Sequence, residues 1–103
     1  MPVTTTISAA KQLAQLRRAI ANQDKALLQV LKKRQVLQTK IAKLKAKQQV
    51  PVVQQQHWQA AQIKRLKTAA QLQLDLQFIE QLFQLIHRQS IKKQAAVIAE
   101  LNS

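Results

Sequence analysis

Residues 9–47 read AAKQLAQLRRAIANQDKALLQVLKKRQVLQTKIAKLKAK. At about 100° per residue, five aliphatic side chains of this stretch fall within roughly 60° of one direction: Leu16, Ile20, Leu27, Leu31 and Ile41. This periodicity predicts a single long helix with one apolar face. We expect it to begin at Thr6 or Ser8, either of which can cap a helix, and to end near Gln48, shortly before Pro51.

Two cations lie within the apolar face of this predicted helix. Arg34 falls at its centre and Lys45 about 20° away, and an unpaired buried cation costs several kcal/mol. Internal partners are scarce, because the acidic residues are only Asp24, Asp75, Glu80 and Glu100. The pattern therefore favours an external anion as the partner. The alternative is that both side chains extend to solvent at the edge of the apolar face.

The rest of the chain predicts two more helices. The second is expected over about Gln55–Leu72, and the third from an N-cap at Asp75 to about Leu101. The sequence contains no glycine, and no run alternates apolar and polar residues long enough for a strand. We therefore predict an all-α fold with three helices, one of them very long, in a single domain of residues 1–103.

The length of the first helix predicts an assembly of two chains. At 1.5 Å per residue it would extend about 60 Å, whereas a globule of this size has a radius of gyration near 13 Å. Two shorter helices of the same chain cannot cover such a rod, and a second copy can. We expect an intertwined homodimeric helical bundle.

The third helix also carries polar residues in its apolar face. Ser90 and Gln94 share the face formed by Ile79, Phe83, Ile86, Val97 and Leu101. The alternative interpretations are that Ser90 is a small residue that permits close helix approach and that Gln94 hydrogen-bonds to another side chain in the core. Together with Arg34 and Lys45, they predict a polar pocket for a small oxygen-rich anion. Arg17 lies about 100° from Arg34, and periodicity alone favours a solvated side chain.

Composition excludes several kinds of chemistry. The chain has no cysteine, no paired carboxylates, no glycine-rich phosphate loop and no metal-ligand cluster, and His57 and His87 are interpreted as surface or boundary histidines. We therefore expect no cofactor and no metal. No apolar run could span a membrane, and no secretory signal is present, so we expect a cytoplasmic location and no membrane association. The net charge of +13 attracts anions, nucleic acid included.

The chain resembles the all-helical class of chorismate mutases. The similarity covers nearly the whole sequence and is carried by an ordered set of segments: Leu16-Arg17-Arg18-Ala19-Ile20, Asp24-Lys25-Ala26-Leu27-Leu28, Lys33-Arg34, Ile41-Ala42-Lys43-Leu44-Lys45, Pro51-Val52, Leu82-Phe83-Gln84-Leu85-Ile86, Ser90 and Gln94. The resemblance implies an intertwined three-helix dimer that rearranges chorismate, a small dianion, to prephenate for aromatic amino-acid biosynthesis.

The resemblance also implies roles for individual residues. Arg34 would hold one substrate carboxylate, and Arg17 would reach the other carboxylate from the partner subunit. Lys45 would hydrogen-bond the ether oxygen and a carboxylate, with Gln94 on the opposite side of that oxygen. Ser90 would lie near a carboxylate.

The start of the second helix departs from the family pattern. Gln54, His57 and Trp58 stand where well-studied members have an acidic residue, an arginine and a glutamate that accepts the ring hydroxyl. Gln54 and His57 remain candidate substrate-binding residues, and Trp58 is either a core anchor or part of the site. The departure keeps two alternatives open. One is isochorismate pyruvate-lyase activity. The other is a non-enzymatic basic module that regulates a partner or binds nucleic acid, although the chain has no recognised nucleic-acid-binding motif.

Overall fold

The structure, a computed structural model, describes the backbone of residues 2–103 and the side chains of residues 8–103. Over these residues it contains three α-helices and no strand: α1 (Pro2–Gln48), α2 (Gln55–Gln71) and α3 (Leu76–Leu101). The predicted all-α class and the number of helices are confirmed.

The predicted start of the first helix is wrong. The 47-residue helix α1 begins at Pro2, so Thr6 and Ser8 lie within it and neither is its N-cap. Proline is well suited to a first helical position, because its fixed φ is helical and its missing N–H would have no partner there. The predicted end near Gln48 is confirmed.

Helices α1 and α2 both end without glycine. Gln49 and Gln73 adopt the left-handed conformation, with φ of 56° and 57°. The next residue then donates a backbone hydrogen bond back into the last turn, from Val50 to the Lys45 carbonyl and from Leu74 to the Ala69 carbonyl, each at 2.9 Å. These bonds satisfy carbonyl groups that the helix leaves unpaired, which offsets the cost of the left-handed glutamines.

Helix α3 begins as the sequence predicts. The side chain of Asp75 accepts a hydrogen bond from the backbone N–H of Phe78 at 3.0 Å. This N-cap satisfies one of the donors that the first helical turn leaves without an intrahelical partner.

The chain divides into two compact units, Met1–Arg34 and Gln35–Ser103. From Pro2 onward the first unit is all part of α1, and its large aliphatic side chains between Leu13 and Leu31 are exposed. The second contains the end of α1, with α2 packed on α3. The most buried residues of this C-terminal unit are Ala42, Ala69, Ile79 and, unusually for a polar side chain, Gln94. The prediction that Gln94 lies inside the apolar face of α3 is thus confirmed.

Candidate functional site

Lys45 lies half-buried in the last turn of α1. Its ammonium group donates hydrogen bonds to the carbonyl oxygen of Val52, at 2.6 Å, and to Oε1 of Gln94, at 3.0 Å. The reversal of the chain after α1 brings the Val52 carbonyl within reach of Nζ. Burial lowers the pKa of Lys45 from its ordinary value, because desolvation disfavours the charged form.

The Lys45 contact fixes the orientation of the Gln94 side-chain amide. An ammonium group only donates hydrogen bonds, so it must face the amide oxygen and not the amide nitrogen. The Gln94 nitrogen then donates to Oε1 of Gln38. Two of the three ammonium hydrogens of Lys45 and one of the two amide hydrogens of Gln94 are used in these bonds. One hydrogen of each group has no acceptor among the described residues.

Gln38 is a residue of this cluster that the sequence analysis missed. It lies on α1, seven residues before Lys45, and its side chain is half-buried. Seven residues are about two helical turns, so both side chains project from the same side of α1. That spacing could have indicated that Gln38 lies near Lys45. Because the chain is rich in glutamine, however, a single glutamine at this position is not distinctive.

Ser90 and His87 are half-buried on the same side of α3 as Gln94. They precede it by four and seven residues, which are about one and two turns. For Ser90, this burial agrees with its predicted position within the apolar face of the helix. His87 had no predicted role in the site.

An aromatic pair lies between α2 and α3. The rings of Trp58 and His87 are stacked, with centroids 4.0 Å apart and planes inclined by 15°. The guanidinium carbon of Arg65 lies 5.2 Å from the centre of the Trp58 ring and 4.7 Å from that of Phe83. Burial, and then the positive charges of Arg65 and Lys45, lower the pKa of His87. A lowered pKa keeps this imidazole neutral near pH 7.

The other predicted site residues are more exposed or belong to the other unit. Gln54 is the exposed N-cap residue of α2, with no capping hydrogen bond from its side chain, and His57 is also exposed. Arg17 and Arg34 belong to the N-terminal unit, where Arg17 is exposed and Arg34 is half-buried. Their convergence on Lys45 remains a prediction.

The family model for chorismate mutase type II matches residues 16–95. The chain belongs to this family. The match spans every predicted site residue, from Arg17 to Gln94. No curated protein matches the chain.

Neither a metal-binding group nor a membrane-spanning helix is present among the described residues of this chorismate mutase type II chain. They contain no group of three or more histidine, cysteine or acidic side chains placed to hold a metal ion. Within the same part of the chain, no helix is both long and apolar enough to cross a membrane.

Lys45, Gln94 and Gln38 form a cluster of hydrogen-bonded polar side chains. It presents hydrogen-bond donors held by bonds within the protein, and one of these donors, Lys45, is an ammonium group. Such a site can stabilise negative charge that develops on a bound oxygen atom. It suits a reaction that requires conformational control and no proton transfer.

Proposed function

We propose that this protein is a chorismate mutase that converts chorismate to prephenate in the cytoplasm, within aromatic amino-acid biosynthesis. The observation that carries the proposal is the pairing of Lys45 with Gln94. Each retains one hydrogen for a ligand after its bonds within the protein are formed. Membership of the family supplies the substrate class.

The rearrangement is a single pericyclic step. The ether carbon–oxygen bond breaks while a carbon–carbon bond forms, and no proton moves. Negative charge grows on the ether oxygen as its bond lengthens. The free hydrogens of Lys45 and Gln94 would stabilise that charge, and Gln38 would hold the Gln94 amide in the donating orientation. Because the donors are already fixed, little reorganisation would be needed during the reaction.

The two substrate carboxylates require cations as partners. We assign one to Arg34 and the other to Arg17 of a second subunit, with Ser90 near a carboxylate. Arginine binds a carboxylate through two parallel hydrogen bonds, so it fixes orientation as well as charge. Such clamps would hold the flexible substrate in its reactive conformer. Gln54 and His57, both exposed in the single chain, are assigned to the rim of the substrate site.

The active form would be an intertwined homodimer. From Pro2 onward the N-terminal unit is a single helical segment, and such a segment cannot bury its own apolar face. Seven of its aliphatic side chains are at least 36% exposed: Leu13, Leu16, Ile20, Leu27, Leu28, Val30 and Leu31. In the C-terminal unit, an open cavity of about 340 Å³ is lined by Ala69, Leu74 and Ile79, among others. A second copy could cover both surfaces.

Isochorismate pyruvate-lyase activity is the second candidate. Trp58 supports it, because indole nitrogen only donates hydrogen bonds and cannot replace a carboxylate that accepts one from the ring hydroxyl. Isochorismate carries its hydroxyl at a different ring position.

A direct assay distinguishes these activities. Purified protein is incubated with chorismate and, separately, with isochorismate, and products are identified by chromatography. We expect prephenate from chorismate, and a fall in kcat/KM of one to two orders of magnitude in Arg34→Ala, because a charge-assisted carboxylate contact is lost. Arg18→Ala, which removes an exposed arginine of the same helix, should have little effect.

Other products would contradict the proposal. Formation of pyruvate and salicylate from isochorismate, with no product from chorismate, would identify the protein as the lyase. No turnover, together with strongly salt-dependent binding to DNA or RNA, would identify a basic binding module.

The lowered pKa of Lys45 predicts an alkaline limit to activity. Since kcat/KM reports ionisation of the free enzyme, it should fall as Lys45 loses its proton, at a pH below the ordinary lysine value of about 10.4. The neutral amine can still donate a hydrogen bond, but it no longer supplies charge. The pH–rate profile measures this transition, with circular dichroism as the control for unfolding. A profile that stays flat throughout the lysine range would contradict the assignment.

A further inference from the structure

His87 has features of a ligand-binding group that its place in a helix packing layer does not explain. It is half-buried, yet neither imidazole nitrogen hydrogen-bonds to any group among the described residues 8–103. No side-chain nitrogen in that part of the chain is fully buried without a partner, so the ring nitrogens are reachable from solvent. A reachable, unpaired imidazole next to a donor cluster is available to a ligand.

The stack with Trp58 determines how the imidazole is presented. One face of the ring lies on the indole, at a centroid separation of 4.0 Å. Both nitrogens are in the plane of the ring, so stacking covers a face and leaves their hydrogen-bonding directions open. Arg65, over the indole and over Phe83, packs against the same group of rings. Trp58 therefore acts as a positioning residue for His87.

His87 also lies on the same side of α3 as the cluster that the proposed reaction uses. It precedes Gln94 by two helical turns, with Ser90 between them. The charge of Lys45 acts on its imidazole, as does that of Arg65. A neutral imidazole has one nitrogen that accepts and one that donates, so it can recognise a hydroxyl group without a formal charge.

We propose that His87, held in place by Trp58, binds the ring hydroxyl of the substrate and is a specificity-determining residue of this protein. This inference rests on the proposed function, because it takes a ring with a hydroxyl group as the ligand. It also gives Trp58 a role, which is to position His87. Trp58 stands where the resemblance would place a glutamate that accepts the hydrogen bond of the ring hydroxyl.

The test compares chorismate with the analogue that has hydrogen in place of the ring hydroxyl. His87→Phe keeps an aromatic ring for the stack but removes both nitrogens. We expect it to lower kcat/KM for chorismate about tenfold and to change kcat/KM for the analogue less than twofold. His87→Gln, which keeps a donor and an acceptor, should recover part of the loss on chorismate. Gln89→Phe, at an exposed position of α3, is the control for the introduction of a phenylalanine, and it should leave kcat/KM for both compounds unchanged.

Each outcome has a distinct meaning. Equal losses on both compounds, or no loss on either, would overturn the inference and leave the proposed function intact. Wild-type protein that consumes neither compound would overturn both.

A second measurement uses the wild type, in case the variants do not fold. Trp58 is the only tryptophan of the chain, so its fluorescence reports protonation of the stacked imidazole. The fluorescence is titrated with pH in the presence of saturating prephenate and of its counterpart without the hydroxyl. Both ligands carry the same carboxylates, so they differ only in the hydroxyl group. A hydrogen bond from His87 to that hydroxyl should therefore make the midpoints of the two pH titrations differ. Identical midpoints would overturn the inference.

Discussion

Lys45→Met should lower kcat/KM for chorismate by about 1,000-fold, in the upper part of the range for loss of one donor at a developing oxyanion. Methionine is similar in length and fits the half-buried position, but it carries neither charge nor hydrogen. The variant also frees the Gln94 amide, which loses the ammonium that fixes its orientation. Both effects act on the breaking bond, so the loss should appear mainly in kcat. Steady-state kinetics with purified protein measures it.

The matched control is Lys47→Met, which removes an exposed lysine from the same last turn of α1. It has the same change in net charge, so it corrects for any general attraction between the +13 chain and a dianion. We expect less than a twofold change in kcat. Circular dichroism of both variants checks that α1 remains helical. Equal rates for Lys45→Met and Lys47→Met would exclude Lys45 from the chemistry.

The parts of this structure that the sequence predicts are those with local causes. Pro51 limits how far α1 can extend, and Asp75 starts α3 through a contact three residues away. The polar positions Lys45 and Gln94 were identified because each interrupts an apolar face, and helical periodicity alone defines such a face. Their direct hydrogen bond joins residues far apart in sequence. It was still foreseeable in outline, because the apolar faces of α1 and α3 both have to be buried in a core.

The missed features depend on how α2 and α3 are placed against each other. Trp58 and His87 stack because two helices are aligned in a particular register, and periodicity within one helix does not determine that register. Gln38 was missed for a different reason, because its role depends on the partner that reaches it from α3. The start of α1 was mispredicted because Thr6 and Ser8 are plausible caps, and a plausible cap can also lie inside a helix.

Two inactive variants should regain activity when they are mixed. Arg17→Ala removes a cation that we assign to the partner's site, and Lys45→Met removes a donor from its own subunit's site. In a mixed dimer, the chain that keeps Lys45 would receive Arg17 from the other chain, which completes one site. Unfolding equal amounts of the variants together and refolding them makes about half of the dimers mixed, so about a quarter of all sites should be complete. Recovery of about a quarter of wild-type activity is the expected result.

The arrangement of the site decides whether this recovery can occur. If Arg17 served its own subunit, neither chain of a mixed dimer could form a complete site, and mixing would restore nothing. The same holds for a protein that remains monomeric, which size-exclusion chromatography with light scattering would detect independently. Arg34→Ala mixed with Lys45→Met is the control, because we assign both residues to the same subunit's site and expect no recovery. Recovery in this control as well would mean that Arg34, too, crosses between subunits.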